Sequence, residues 1–111
     1  MRLPIHRAEY FTADFDRQFR WYLAEAGETI AERYLAAVSA TLKSLAEQPD
    51  LGRIRRFRNP MLRGLRSIQV ESPFQRLLIF YRFNETQVIA ERLMHGARDL
   101  PRRLKEPPGA E

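Results

Sequence analysis

The sequence predicts an α+β fold: an N-terminal strand, then an antiparallel helical hairpin packed on a mostly antiparallel sheet of about four strands. The order is βααβββ, with a short C-terminal helix possible at the end. Three observations lead there. Two apolar stripes at helical spacing fill residues 9–47 and are parted at Gly27. Three β-rich runs follow between residues 65 and 94, broken only by short polar turns. Residues 2–6 alternate, with Leu3 and Ile5 set against Arg2, Pro4 and His6.

Taken in order, Pro4 lacks an N–H, so the first strand belongs at a sheet edge or a strand start. His6 lies on its polar side and reads as solvated or locally bonded rather than catalytic. Residues 9–26 form the first helix, with Phe11, Phe15, Phe19, Tyr22 and Ala26 on one stripe. Its early aspartates suit the helix dipole. Trp21 sits beside the stripe and reads as packing rather than as a functional stack. Gly27 stops the helix.

The second helix is expected over residues 29–47, opened by a capping box at Thr29 and Glu32. Its apolar face holds Ile30, Tyr34, Val38, Leu42 and Leu45, with Ala37 and Thr41 beside them. Pro49 ends it. Residues 65–70 read as a strand, and residues 71–74 as a turn around Ser72-Pro73. In residues 76–83 both alternating sets are apolar: Leu77, Ile79, Tyr81 and Phe83 on one side, Leu78 and Phe80 on the other. A central strand covered on both faces explains that. Asn84-Glu85-Thr86 turns the chain into the last strand, residues 87–94. Asp99 is placed to cap a final helix over residues 100–105. Residues 1–106 are expected as one domain and 107–111 as a flexible tail.

Composition narrows the function. The 111 residues contain no cysteine, and the only two histidines, His6 and His95, have no metal-ligand spacing. No metal or cofactor site is expected. No run is long and apolar enough to span a bilayer and no signal peptide is evident, so a soluble cytoplasmic protein is expected. The net charge of +5 is uneven: residues 1–50 carry −2 and residues 51–111 carry +7, nearly all as arginine. Arginine suits phosphate or carboxylate pairing, so the second half should seek an acidic partner, nucleic acid or peptide. There is no acid from residue 51 to residue 70, yet Arg53, Arg55, Arg56, Arg58 and Arg63 lie in the connection over residues 50–64. This segment is either a solvated loop or an electrostatic docking surface.

Several stretches, spread over nearly the whole chain, resemble the RelE/ParE superfamily of toxins. Asp14-Phe15 and Tyr22-Leu23-Ala24-Glu25 resemble its first-helix pattern. Pro49-Asp50-Leu51-Gly52-Arg53 resembles its Pro-x-x-Gly-Arg signature. Leu65-Arg66 resembles the start of its first hairpin strand, and Ile79-Phe80-Tyr81-Arg82-Phe83 its central strand. Arg92-Leu93-Met94-His95-Gly96-Ala97-Arg98-Asp99-Leu100 resembles the His-Gly-x-Arg-Asp-Leu ending common on the ParE side.

The resemblance implies the toxin of a type II toxin–antitoxin pair, a hetero-oligomer in which the acidic C-terminal segment of a cognate antitoxin wraps the toxin. It implies no cofactor, membrane or small-molecule ligand. ParE-type members act on DNA gyrase, and RelE-type members are ribosome-dependent mRNA endoribonucleases. The shared fold does not choose between them. As a gyrase inhibitor the chain would work by binding, through Arg53, Arg55, Arg56, Arg58, Arg63, Arg66, Arg82 and Arg98. A groove between helical hairpin and sheet would take the antitoxin's apolar side chains.

As a metal-free nuclease the chain would rely on Arg82, His95 and Arg98 meeting at one end of the sheet. No lysine in the strands and no tyrosine after Tyr81 supports that chemistry. His95 has three readings: acid/base, partner contact, or a structural group beside Arg98 and Asp99. Arg82 is either an exposed anion contact or a partner for a sheet carboxylate such as Glu91. A generic nucleic-acid adaptor would need an exposed aromatic platform, and the aromatics lie on apolar stripes instead.

Overall fold

A computed structural model describes residues 2–96 and 100–109. Its elements are β1 (Ile5–Arg7), α1 (Glu9–Ala26), α2 (Glu28–Glu47), β2 (Arg53–Ile54), β3 (Arg66–Gln69), β4 (Leu77–Phe83), β5 (Val88–His95) and α3 (Leu100–Lys105). One sheet holds five strands in the order β1-β5-β4-β3-β2. The predicted architecture is therefore present, with β2 added as a two-residue edge strand antiparallel to β3. The arginine-rich sequence of β2 carries no alternation and gave no sign of it. β3, β4 and β5 pair antiparallel, as their short turns require. β1 pairs parallel with β5 at the sheet edge, where Pro4 needs no partner for its missing N–H.

The helical stripes face the sheet as expected. Phe11, Tyr34, Val38, Leu42 and Leu45 join Leu77, Ile79, Tyr81, Val88, Ala90 and Leu93 in the main core. Ala26 is the exception on the first stripe and is exposed. Phe15 stacks on Tyr34 with ring centroids 5.0 Å apart, and Phe74 closes the cluster edge-on to Tyr22 at 5.4 Å. Aromatic contacts of this kind add to area burial. The opposite sheet face carries a smaller core of Leu62, Leu65, Phe80, Met94, Leu100 and Leu104. β4 is thus covered on both faces, though Phe83 at its end stays 38% exposed.

The expected capping box is not formed. Gly27, at φ 93°, donates its N–H to the Tyr22 carbonyl at 3.0 Å and serves at once as the end of α1 and the N-cap of α2. A one-residue link leaves Thr29 inside the first turn, where it makes no cap. Glycine supplies the left-handed backbone this reversal needs. The expected cap at Asp99 lies outside the described residues.

Candidate binding grooves

Two buried polar knots fix the surfaces that matter. The first surrounds Tyr81. Its hydroxyl donates to the Pro49 carbonyl at 2.7 Å and accepts from the Gly52 N–H at 2.8 Å. Burial pushes the Tyr81 phenol above its usual range, so it stays protonated and able to donate. Arg66 reaches the Gly52 carbonyl at 2.8 Å and the Asp50 carbonyl at 3.2 Å, and its guanidinium lies over the Phe83 ring. The Pro49-x-x-Gly52-Arg53 stretch is therefore a collar around a β4 tyrosine. What it delivers is β2, and with it Arg53.

The second knot holds the far edge of β5. β1 covers β5 only as far as Ala90. Beyond that point the edge needs another partner. The Asp14 carboxylate supplies it, accepting from the Leu93 N–H at 2.9 Å. The same carboxylate takes Arg92 Nε at 2.8 Å and the Nη2 donor at 3.1 Å, a forked pair whose side chains are 8% and 9% exposed. Arg92 Nη1 turns the other way, to the carbonyls of Arg103, Leu104 and Glu106. One guanidinium thus ties α1, β5 and the end of α3 together. Sequence reading gave Asp14 a dipole role and Arg92 none.

A register slip between Phe80 and Tyr81 places Arg92 there. Phe80 pairs with Arg92 and Tyr81 with Ala90, so Glu91 is an extra residue in the ladder. Ala90 and Leu93 can then both face the helices. Strict alternation does not foresee this.

Between these knots lie two open grooves. The larger, of about 1460 Å³, runs between α1, the ends of β4 and β5, and α3. Its walls include Arg17, Arg20, Arg76, Arg102 and Arg103, and its apolar floor Tyr22, Phe74 and Met94. Trp21, 56% exposed, stands on its rim. Of its acids, Asp14 is held by Arg92, and Glu106 lies 3.5 Å from Arg102. The smaller, of about 900 Å³, crosses the other side of the sheet and is lined by Arg53, Arg55, Arg76 and His95 with Ser67, Gln69, Gln75 and Leu78. Arg76 and His95 border both.

The predicted site residues separate. Arg53 and Arg55 line the smaller groove, while Arg56, Arg58 and Arg63 sit in the connection between β2 and β3. None of Arg53 to Arg66 makes a carboxylate ion pair among the described residues. Arg82 does: its Nε meets Glu91 at 2.5 Å, and its other nitrogens donate to the Met61 and Arg63 carbonyls, pinning the connection onto β4.

The expectation that Arg82 and His95 meet is not met. His95 pairs with Leu77 and Arg82 with Ile89, near opposite ends of β4. Five residue steps along β4 separate them, about 17 Å. Arg98 lies outside the described residues. Among the described residues no three His, Cys, Asp or Glu side chains gather to hold a metal, and no helix is long and apolar enough to cross a membrane.

Partial burial, with Arg103 and Arg76 adding positive charge, holds His95 below the usual histidine range. Its folded pKa then lies under its unfolded one, so between the two the unfolded chain binds more protons. Stability falls as pH drops through about 6.5 and levels off below the folded value. Urea midpoints from pH 8 to pH 5 should show this decline, and His95→Gln should flatten its histidine part. An unchanged profile in that variant would place the linked proton elsewhere.

A family model described as the ParE toxin of the type II toxin–antitoxin system parDE matches residues 5–100. The chain belongs to the ParE toxin family. This ParE-family chain is thus a toxin of the type II toxin–antitoxin class, within the RelE/ParE superfamily. Solved structures share the fold. A chain of the chromosomal ParDE system from P. aeruginosa superposes with a TM-score of 0.69 at 17% identity, covering 86% of this chain and 98% of that one. A chain of the RelBE2 toxin–antitoxin complex from Mycobacterium tuberculosis gives 0.59 at 18% identity, covering 86% and 100%. No curated protein sequence matches significantly.

Proposed function

We propose that this toxin acts in the cytoplasm by binding DNA gyrase, and that a cognate antitoxin neutralises it by laying an acidic C-terminal segment along the larger groove. The observation that carries the antitoxin half is the groove itself. Arginines from α1, the β4 entry and α3 surround an aromatic floor with Trp21 at its rim. An acidic amphipathic segment that orders on contact would match both features, with carboxylates on guanidinium groups and apolar side chains on the floor.

The gyrase half draws on the family. It is supported by the separation of Arg82 from His95 among the described residues. Arg82 is engaged with Glu91 and two carbonyls at the far end of β4 from His95, and no tyrosine follows Tyr81. What is left on the surface is arginine suited to contact.

Induction in cells tests the reading. A DNA-damage reporter should rise when the toxin is made without its antitoxin, with transcripts intact. Transcripts cut within codons, with a silent reporter, would replace gyrase by the ribosome as target.

A further inference from the structure

The smaller groove differs from the larger in ways that decide what it takes. Among the described residues Leu78 is its only large apolar side chain, so it offers little to the apolar face of a peptide. Among the described residues its lining has no Phe, Tyr or Trp and no carboxylate. Its cations are set on a rigid frame. Arg53 is delivered by the Tyr81 collar. Arg55 is aimed by its hydrogen bond to Ser67 Oγ at 3.2 Å and by the rings of Phe57 and Phe80 beneath it. Arg76 and His95 stand on the opposite rim.

From β2 to β5 the sheet crosses three interstrand spacings, about 14 Å. A duplex strand carries a charge every ~3.4 Å of helix axis, and its phosphates lie farther apart than that along the strand itself, so the crossing spans more than one phosphate. Burial first, and the nearby Arg53 charge second, lower the Arg55 pKa, a setting unfavourable to its charge that a bound anion eases.

We infer that this groove is a phosphate-backbone site for double-stranded DNA, read without regard to base sequence. Fixed guanidinium groups converging without a described counter-charge suit a phosphate backbone, and the absence of Phe, Tyr and Trp from the described lining disfavours the base stacking a single strand would need. The site is independent of which enzyme the toxin inhibits.

The test is fluorescence anisotropy of a labelled 20-base-pair duplex of mixed sequence with the full chain, from 50 to 200 mM salt. Each neutralised phosphate contributes about 0.9 to the slope of log affinity against log salt. The Arg53→Gln/Arg76→Gln double variant should therefore lose about two units of slope and bind more weakly at 50 mM. Both side chains are exposed, and urea unfolding checks that the fold is kept. Arg33→Gln, on α2, is the control and should bind as the parent does. A single strand of the same sequence should bind less tightly than the duplex. No duplex binding at 50 mM, an unchanged slope in the double variant, or a preference for the single strand or for polyglutamate at equal charge would each overturn the assignment.

Discussion

Asp14→Ala is expected to lower the unfolding free energy by about 3–5 kcal/mol, the range for removing one partner of a buried ion pair. A domain of this size has about 5–15 kcal/mol in total, so the urea midpoint should fall steeply. The loss has two sources. Arg92 is left charged and buried with only neutral partners, the carbonyls at the end of α3 and the Tyr10 ring, and the Leu93 N–H loses its acceptor at the uncovered edge of β5. Adding Arg92→Met to Asp14→Ala removes the stranded charge. The double variant should be more stable than Asp14→Ala alone, and the two single effects should not add. Arg92→Met by itself frees the carbonyls at the end of α3, so trypsin should cut at Arg102 and Arg103 faster than in the parent. Equal midpoints for Asp14→Ala and the parent would mean the pair contributes nothing to holding α1, β5 and α3.

Gly52→Ala should cost about 3 kcal/mol or more. Gly52 has φ −74° and ψ 155°, a conformation open to any residue, so backbone freedom is not why glycine stands there. Space is. A Cβ would fall 2.5 Å from the Tyr81 hydroxyl oxygen and 2.8 Å from the Ser67 carbonyl oxygen. Neither neighbour can yield easily, because Tyr81 is fully buried and Ser67 is in the β3 ladder. Overpacking costs about 1–3 kcal/mol, and the two hydrogen bonds of the Tyr81 hydroxyl each add about 1. The same substitution in the Tyr81→Phe background should cost less, since the hydroxyl at 2.5 Å is gone while the ring carbon Cε1 at 2.7 Å and the Ser67 carbonyl remain. Losing the collar should also shift β2, so duplex affinity should fall along with the urea midpoint. A Gly52→Ala protein with full stability would show that the collar yields readily.

The fold was legible because its signals are periodic. Phe11, Phe15, Phe19 and Tyr22 on α1, and the doubled alternation of β4, state which faces are buried. What was not legible depends on contacts between distant segments. β2 is too short to show a pattern and forms because the Tyr81 collar presents it to β3. Arg92 looked like an ordinary polar position until the slip at Glu91 placed it beside Asp14, 78 residues away. The larger groove draws Arg20 and Trp21 from the net-acidic half of the chain, so a half-by-half charge count pointed away from part of it. The loop arginines were visible at once. Only folding separates Arg66 and Arg82, held on backbone carbonyls, from Arg53, which faces a groove.

Trp21 is the only tryptophan in the chain and stands on the rim of the larger groove, so its emission reports directly on whether that groove is filled. Titration with a tryptophan-free synthetic peptide of the acidic C-terminal half of the neighbouring gene's product should shift the emission to shorter wavelength, with a midpoint that weakens as salt rises. Tight binding of that peptide with no change in the emission would put the antitoxin on another surface and contradict the account.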